Sequence, residues 1–576
     1  MSWTPVTFPM REGLNLADSA ILVKAGEAIH CRNYEAVDGG YRRADGYAWF
    51  DGSLTPAVVP GSGPIRGVFY LNGLVYAFRN ATDGLSCKLY QSGVSSWALV
   101  TLNAAIQFNT GTFKIKEGDT ITGAISGATA LVKRVCTTDG DWSGVPAPMV
   151  GALVVSNITG TWQNAENIKV GATVCAKAAS LAVVPVLQPD GKYQLLANNF
   201  GGAAGTQRIY GCDGKNPAFE FDGTVFAQIP SLMPVNTPKQ IEAHSNYLWL
   251  AFNGGSLQHS AIGNPLSFVV ALGADQLSTG AEITSLNSFK GEVMAIGCDD
   301  RVLLLYGATS LTFQLKTLTQ SNGALFDTAC EVKGGLLYAC AEGLQSIGAV
   351  QQYGDFASSA MSRKVKKLIN SQNVLFSYPA RSKGQLRLVM NDKTTLIFTV
   401  QSNGSVVAMR HIYPDQLATA GSWRDVLGSE LILGGFDNGR VAILDSGTSF
   451  AGAAIQSVIR LAYVLGKRGR RMRAHRLELE MQASAPLNFH TRVEFDYGAA
   501  VSADHEMNSH GGGGGTYDTA QYDQSRYSAG LYPTASIPMR GIGENLNLFI
   551  VHESAVDEAF TLSAATFYLS EKGPVR

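Results

Sequence analysis

A ten-residue pattern recurs through most of this chain and narrows its fold more than any bulk property does. Two or three leading residues are followed by a turn rich in Gly, Asn, Lys or Asp, then by five mostly apolar residues. FYLNGLVYAF over residues 69–78 is the first copy. QPDGKYQLLA from Gln188, AHSNYLWLAF from Ala243, SFKGEVMAIG from Ser288, EVKGGLLYAC from Glu331, RSKGQLRLVM from Arg381 and VLGSELILGG from Val426 repeat it. A turn held at one place between two short segments is what a tight hairpin needs. The apolar fives are β-branched, aromatic or leucine-rich and too short for a helical stripe, so they read as buried inner strands.

Spacing then decides the architecture. From Gln188 onward the copies start 55, 45, 43, 50 and 45 residues apart. A four-stranded propeller blade takes about 40–50 residues. The period therefore predicts an all-β fold, a β-propeller of about seven blades (six to eight), with each copy supplying two adjacent strands and the chain ends closing one blade together. A large sandwich or barrel is the alternative, with turns less evenly spaced. The first interval is 119 residues, and setting aside about 45 for one blade leaves roughly 75 for an insertion. GTFKIKEGDTITGAISGATALVKRV and GALVVSNITGTWQNAENIKVGATVCAKA supply it. Both are Gly-punctuated and rich in Thr, Val and Ile, as a small β-sandwich or barrel would be.

After about Ser457 the character changes again. In VIRLAYVLGKRGRRMRAHRLELEM, Leu477, Leu479 and Met481 alternate with Arg476, Glu478 and Glu480, a strand with one wet face. The run from Gly511 to Gly515, between His505 and His510, reads as a flexible loop, and NLNLFIVHESAVDEAFTLSAATFYL as two further strands. The expected division is an N-terminal arm and strands over 1–55, the start of the propeller over 56–107, an inserted β-domain over 108–180, the rest of the propeller over 181–456 and a C-terminal β-domain over 457–576.

Composition matters mainly for what it excludes. Charged residues are 16% of the 576 residues, below the ~25% usual for soluble domains. The 63 glycines exceed the usual share, which suits many tight turns and surfaces buried in an assembly. A formal net charge of -1 gives no global attraction to nucleic acid or acidic membranes. MSWTPVTFPMREG has no basic stretch followed by an apolar one, so no secretory signal is read, and no apolar run is long enough to span a bilayer. Eight cysteines, Cys31, Cys87, Cys136, Cys175, Cys212, Cys298, Cys330 and Cys340, lack metal or redox spacing and read as reduced, half-buried thiols.

No catalytic, cofactor-binding or metal-binding residue is assigned, and no cofactor is expected. GSGPIRG over residues 61–67 nears a nucleotide-loop spacing but reads as a Pro-bearing turn. DGDW over residues 139–142 lacks the later glutamate of a calcium loop, and His552-Glu553 has no partner histidine at metal spacing. Asp222 and the pair Asp299-Asp300 are the carboxylates nearest to catalytic candidates, and each reads as a turn residue. The basic run RKVKK (363–367) reads as a short helix or blade connection. KRGRRMRAHR (467–476) reads as a solvated or intersubunit face, with contact to phosphates as the alternative.

The opening FPMREGLNLADSAILVKAGEAIHCRNYEAVDGGYRRADGYAWFDG resembles the start of the nozzle (stabilisation, or tail tubular) proteins of short-tailed bacteriophages. Gly13-Leu14-Asn15, Gly26, Asn33-Tyr34, Gly40 to Arg43, Gly46-Tyr47 and Phe50 to Gly52 carry the likeness. FEFDGTVFAQIP, HSNYLWLAFNGGSLQHSAIGNP, VLLLYGATSLTFQL, SGATA (126–130), ITGTW (158–162), TYDTAQYDQSRYSAG and GIGENLNLFI extend it as diffuse patterns. The resemblance implies a structural virion protein without enzymatic activity, present in the host cytoplasm during assembly. It implies a homo-oligomeric ring, usually a hexamer, below the head-to-tail adaptor, with tail fibres or spikes as further partners. Such a ring would line and close the DNA exit channel used in ejection, with propellers around the channel and no sequence-specific contact to the genome. A receptor-binding propeller, using exposed aromatics such as Trp142 and Trp162 of the insertion, and a polysaccharide-degrading propeller stay open beside it.

Overall fold

A computed structural model describes residues 3–19, 22–50, 58–93, 96–203, 205–289, 293–320, 322–348, 362–371, 374–465, 470–485, 487–498, 500–501, 505–508 and 534–574. The glycine run 511–515, His510, Asp51 and Gly52 lie outside them.

Small antiparallel sheets follow one another along the chain. Sheet I comprises Ser62–Leu71, Leu74–Asn80, Cys87–Ser92 and Trp97–Leu99; sheet II comprises Gln194–Asn198, Arg208–Cys212, Phe219–Phe221 and Phe226–Gln228. Sheet III runs over Gln240–His244, Tyr247–Ala251, Ser256–His259 and Asp275–Ser278. Sheet IV takes Ile283–Phe289, Val293–Cys298, Val302–Tyr306 and Gln314–Thr319. Sheet V contains Cys330–Val332, Gly335–Cys340 and Gly343–Ser346, and sheet VI Val374–Ala380, Gln385–Met390, Thr394–Val400 and Val406–Ile412. Sheet VII joins Leu417–Arg424, Glu430–Phe436 and Val441–Leu444 to Tyr47–Trp49 from the start of the chain.

Each sheet packs face to face on the next. Leu303 and Met294 of sheet IV meet Trp249 and Leu257 of sheet III, and Phe436 and Leu417 of sheet VII meet Phe376 and Val389 of sheet VI. The circle closes where Trp423 and Leu433 of sheet VII share a core with Phe69 and Phe78 of sheet I and Phe219 of sheet II. The fold is an all-β propeller.

The recurring pattern supplies a hairpin in six of its seven copies. The exception is the copy from Gln188, whose Pro-Asp-Gly turn is not a hairpin. Asp190, at φ 62, instead bonds Asn80 and Arg66 of sheet I, so this stretch carries the chain into sheet II, and its hairpin turns later, between Asn198 and Arg208. GSGPIRG also departs from the expected turn, since from Ser62 it stands in the first strand of sheet I.

The insertion is a closed six-stranded barrel built from Ala104–Gly111, Thr120–Gly123, Thr129–Asp139, Met149–Thr159, Asn167–Val170 and Thr173–Ala178. Ile106, Ile121, Val132, Leu153, Trp162 and Ile168 fill it. Its outer wall is docked as well: Cys136 and Val154 pack with Ile229, Leu248, Leu266 and Phe268 of the propeller. Replacing residues 104–178 by a short Gly-Ser bridge is expected to leave a propeller that melts in one transition, at a lower midpoint because that apolar wall is uncovered. Calorimetry of the shortened chain checks this, and loss of the single transition overturns it.

The expected separation of an N-terminal arm from a C-terminal domain does not hold. Both ends weave one sandwich. Thr4–Pro9, Tyr34–Val37 and Gly40–Arg43 share a sheet with Arg470–Gln482, Thr534–Gly543 and Thr561–Pro574. Ala28–Arg32 joins the facing sheet with Ile455–Leu461, Asn488–Phe495 and Asn545–Ser554. Leu477, Leu479 and Met481 point into the layer between them, as their alternation predicts. Residues between Gly13 and Arg43 do much of the weaving. Gly26 and Gly40 have φ of +90 and +146, and a Cβ on either would lie 2.1 Å from the carbonyl oxygen of Pro9 or Leu562. The Tyr41 hydroxyl donates to the Gly26 carbonyl at 2.6 Å and accepts from the Gly13 amide at 2.9 Å. Buried Arg43 donates to the carbonyls of Asp557, Ser554 and Thr448.

Candidate functional site

Propellers place their first strands around a central channel, and residues there point at whatever enters it. Here the first strands of sheets II, III, IV, VI and VII enclose a cavity of about 520 Å³. Its charged lining consists of Glu242, Asp327, Arg381 and Arg424. Glu242, in the first strand of sheet III, is partly accessible from the channel yet hemmed in by protein. Burial pushes its carboxyl up to about 7, helped by nearby Glu331 and opposed by the Ala243 and Ser288 amides and by Arg381. Asp327 is occupied differently, because Lys192 reaches it at 3.1 Å. Lys192 comes from the approach to sheet II, donates also to the Leu375 carbonyl at 2.6 Å, and lies over the rings of Phe326 and Phe376 at 5.1 and 5.5 Å. One lysine thus ties opposite sides of the ring together across the channel.

The channel can therefore hold a small polar ligand and can offer one carboxyl that exchanges a proton near neutral pH. With the lysine tie across it and a volume of about 520 Å³, it does not admit a nucleic-acid duplex.

The carboxylates singled out in the sequence lie elsewhere. Asp222 caps its turn, accepting from the Thr224 and Val225 amides at 2.8 and 2.7 Å, and its other oxygen takes Arg134 of the barrel at 2.5 Å. The same Arg134 donates to buried Glu220 at 2.7 Å, which Arg208 and Tyr210 also contact, so this group clamps barrel to propeller. Asp300 pairs with its neighbour Arg301, and Asp299 bonds through its backbone to Glu282. Asp139 and Asp141 cap the turn at 139–143, and His552 is buried against Asp557 at 3.0 Å. Among the described residues no three His, Cys, Asp or Glu side chains converge on a metal position. All eight cysteines are buried and unpaired, and burial pushes thiols such as Cys31 and Cys87 up to about 11.

RKVKK forms a 3-10 turn, Arg363–Val365, running into the helix Lys366–Ser371; Arg363, Lys364 and Lys366 pair with Asp18, Glu27 and Glu342. Trp162, expected as an exposed aromatic, is instead buried in the barrel core, and Trp142 stacks on Phe108 at 5.4 Å. No described helix is long and apolar enough to cross a membrane. Sequence reading missed Glu242, Lys192 and Asp327. For Glu242 a signal existed: it is a charged residue in the strand just before a repeat turn, in a segment otherwise read as buried.

No family model matches the chain, and no curated protein does. Solved structures with likeness include the computationally designed Ika8 protein, at 11% identity and a TM-score of 0.32, covering 67% of this chain and 98% of that one. Virginiamycin B lyase from Staphylococcus aureus has 9% identity and a TM-score of 0.32, covering 59% of this chain and 98% of that one. A streptogramin B lyase has 10% identity and a TM-score of 0.32, covering 59% and 97%. At such scores none of them assigns an activity to this chain.

Proposed function

We propose that the chain is a structural subunit of a short-tailed phage tail: one copy of a nozzle ring that hangs below the head-to-tail adaptor, lines the DNA exit channel and performs no catalysis. What supports it is the opening segment. Its nozzle-like residues, from Gly13 through Tyr47, are the ones that knit the N-terminus into the sandwich and close sheet VII, so the resemblance falls on positions this fold depends on. A propeller whose own channel is crossed by Lys192 leaves the genome a path between copies, around which the propellers stand. Mixing the full chain with the adaptor ring should give a coaxial ring, six-fold by resemblance, in negative-stain images. A chain that stays monomeric with the adaptor present sinks the reading.

One observation favours a polysaccharide-degrading propeller as the second reading. Glu242 is a channel carboxyl able to carry a proton at neutral pH, as a general acid must. Cleavage of a capsular polysaccharide by the purified chain, abolished by Glu242→Gln, would select it over the first.

A further inference from the structure

We propose that one end of the sandwich's outer face, carrying Arg471, Arg473 and Arg540, binds the phosphate backbone of DNA without reading its bases. Alternation along Arg470–Gln482 sends Met472 and Ala474 into the core and turns Arg471 and Arg473 outward. Pairing across the sheet assembles the rest. Met472 lies opposite Glu571, which sets Arg471 beside Lys572, and Arg473 lies between Ser570 and Ile542. The bulge between Ala474 and Arg476 brings exposed Arg540 alongside His475.

These cations differ from the others of the same run. Arg476 is occupied by Glu478 at 2.5 Å and lies over the Tyr568 ring at 4.2 Å, while Arg470 pairs with Glu571 at 2.9 Å. Among the described residues Arg471, Arg473, Arg540 and Lys572 have no carboxylate within ion-pair distance. Of the acids of this sheet, Glu478 and Glu480 stand at its other end, while at the cation end Glu571 is taken by Arg470 and Glu544 follows Gly543, the residue opposite Met472. In a chain of net charge -1, four unpaired cations on one sheet end are a local concentration that solvation alone does not require. Trp3, 49% exposed, stacks on His475 at 4.8 Å with the rings 14° apart, adding a flat aromatic step beside the cations. Arginines standing on a sheet face can reach the outermost groups of a nucleic acid, its phosphates, and such contacts position a duplex without reading its bases.

Binding by the full chain to a fluorescent duplex of about thirty base pairs, and to one of its strands, tests this by anisotropy between about 50 and 200 mM salt. Wild type should bind at the low-salt end and lose affinity steeply with salt. Arg471→Ala/Arg473→Ala/Arg540→Ala should bind at least tenfold more weakly, with a log–log salt slope smaller by about 2–3. Arg471→Lys/Arg473→Lys keeps the charges and should stay within threefold of wild type, as should Lys114→Ala/Lys116→Ala/Lys215→Ala, which neutralises exposed cations elsewhere. Stronger binding of the single strand would give Trp3 a stacking role. No binding by wild type at low salt, an unchanged triple variant, or equal loss in the remote control overturns the inference. So does a triple variant that loses self-association while keeping DNA affinity, since the face would then meet another copy. The inference needs no ring: a ring that forms but does not bind DNA defeats it alone, and a monomer that binds DNA defeats only the nozzle reading.

Discussion

Arg387→Leu should destabilise the protein by about 3–5 kcal/mol, the usual cost of stranding a buried charge by removing its partner. Arg387 is fully buried in sheet VI and grips Asp445 with two nitrogens, at 2.9 and 2.7 Å, while two of its nitrogens donate to Gln385. Lys383 bonds Glu35 at 2.9 Å and Asp45 at 2.8 Å, and Arg42 bonds Glu35 at 2.6 Å and Asp45 at 2.7 Å. Glu35 and Asp45 come from the N-terminal weave and Asp445 from sheet VII, so three cations and three anions join sandwich to propeller. His411 stays neutral beside them, pushed down to about 4 by burial first and then by Arg387. The pH dependence has a definite sign. Glu35 is held at about 2, against burial, chiefly by the Lys383 charge, and Asp445 lies lower still through Arg387 and Lys383. Carboxylates lowered by folding contribute stability above their unfolded range near 4 to 4.5, and it is lost as pH falls toward 2. His411 adds in the same direction, its contribution fading from about 6.5 down to about 4. Between about pH 6.5 and 4.5 the His411 loss is offset by protonation of Glu242, so wild type should lose stability chiefly below about pH 4.5, and the gap to Arg387→Leu should narrow toward pH 3. Denaturant melts across that range check both, and Arg387→Leu/Asp445→Leu should be more stable than Arg387→Leu alone. A double variant worse than the single one removes the charge argument.

How much of this was legible depends on how local each signal is. The hairpins of sheets III to VII announce themselves within ten residues, because turn chemistry and inner-strand apolarity are neighbours in sequence. Gln188–Gly191 carries the same letters for a different purpose: Asp190 turns toward Asn80, and a Cβ on Gly191 would strike the Asp213 carboxylate. The sandwich weave was invisible, since Thr4 pairs with Leu569 and Ala28 with Leu461, and nothing local marks so distant a partner. Arg43 shows the same limit. Its guanidinium satisfies the carbonyls of Thr448, Ser554 and Asp557, none of which lies near it in sequence. Trp162 misled for the opposite reason, because a lone Trp in a Gly-rich stretch reads as exposed until a closed barrel supplies the core around it.

Glu242→Gln should do the reverse of Arg387→Leu and stabilise the protein above neutral pH. Moving a carboxyl from its ordinary 4.5 to about 7 means that the folded chain disfavours its charged form by about 3 kcal/mol. A group raised by folding binds more protons folded than unfolded, so its destabilising effect is absent below about 4.5, grows through 7 and is complete above it. The amide of glutamine keeps the shape and carries no charge. Its midpoint should therefore exceed wild type's by about 2–3 °C at pH 8 and match it near pH 4. The Arg381 charge faces the same cavity, so Arg381→Gln should raise the Glu242 carboxyl further and enlarge the gap. Equal midpoints for Glu242→Gln and wild type at pH 8 would show the carboxyl to be solvated through the channel mouth. A carboxyl raised by burial in the lining of a channel, and without an ion pair among the described residues, points to something other than packing. In a nozzle subunit that would be a ligand or neighbouring chain entering the propeller channel; in the second reading it would be a glycosidic oxygen awaiting a proton. Stability measured with and without a candidate oligosaccharide separates these. Stabilisation of wild type but not of Glu242→Gln points to the sugar, and indifference in both leaves the channel to protein.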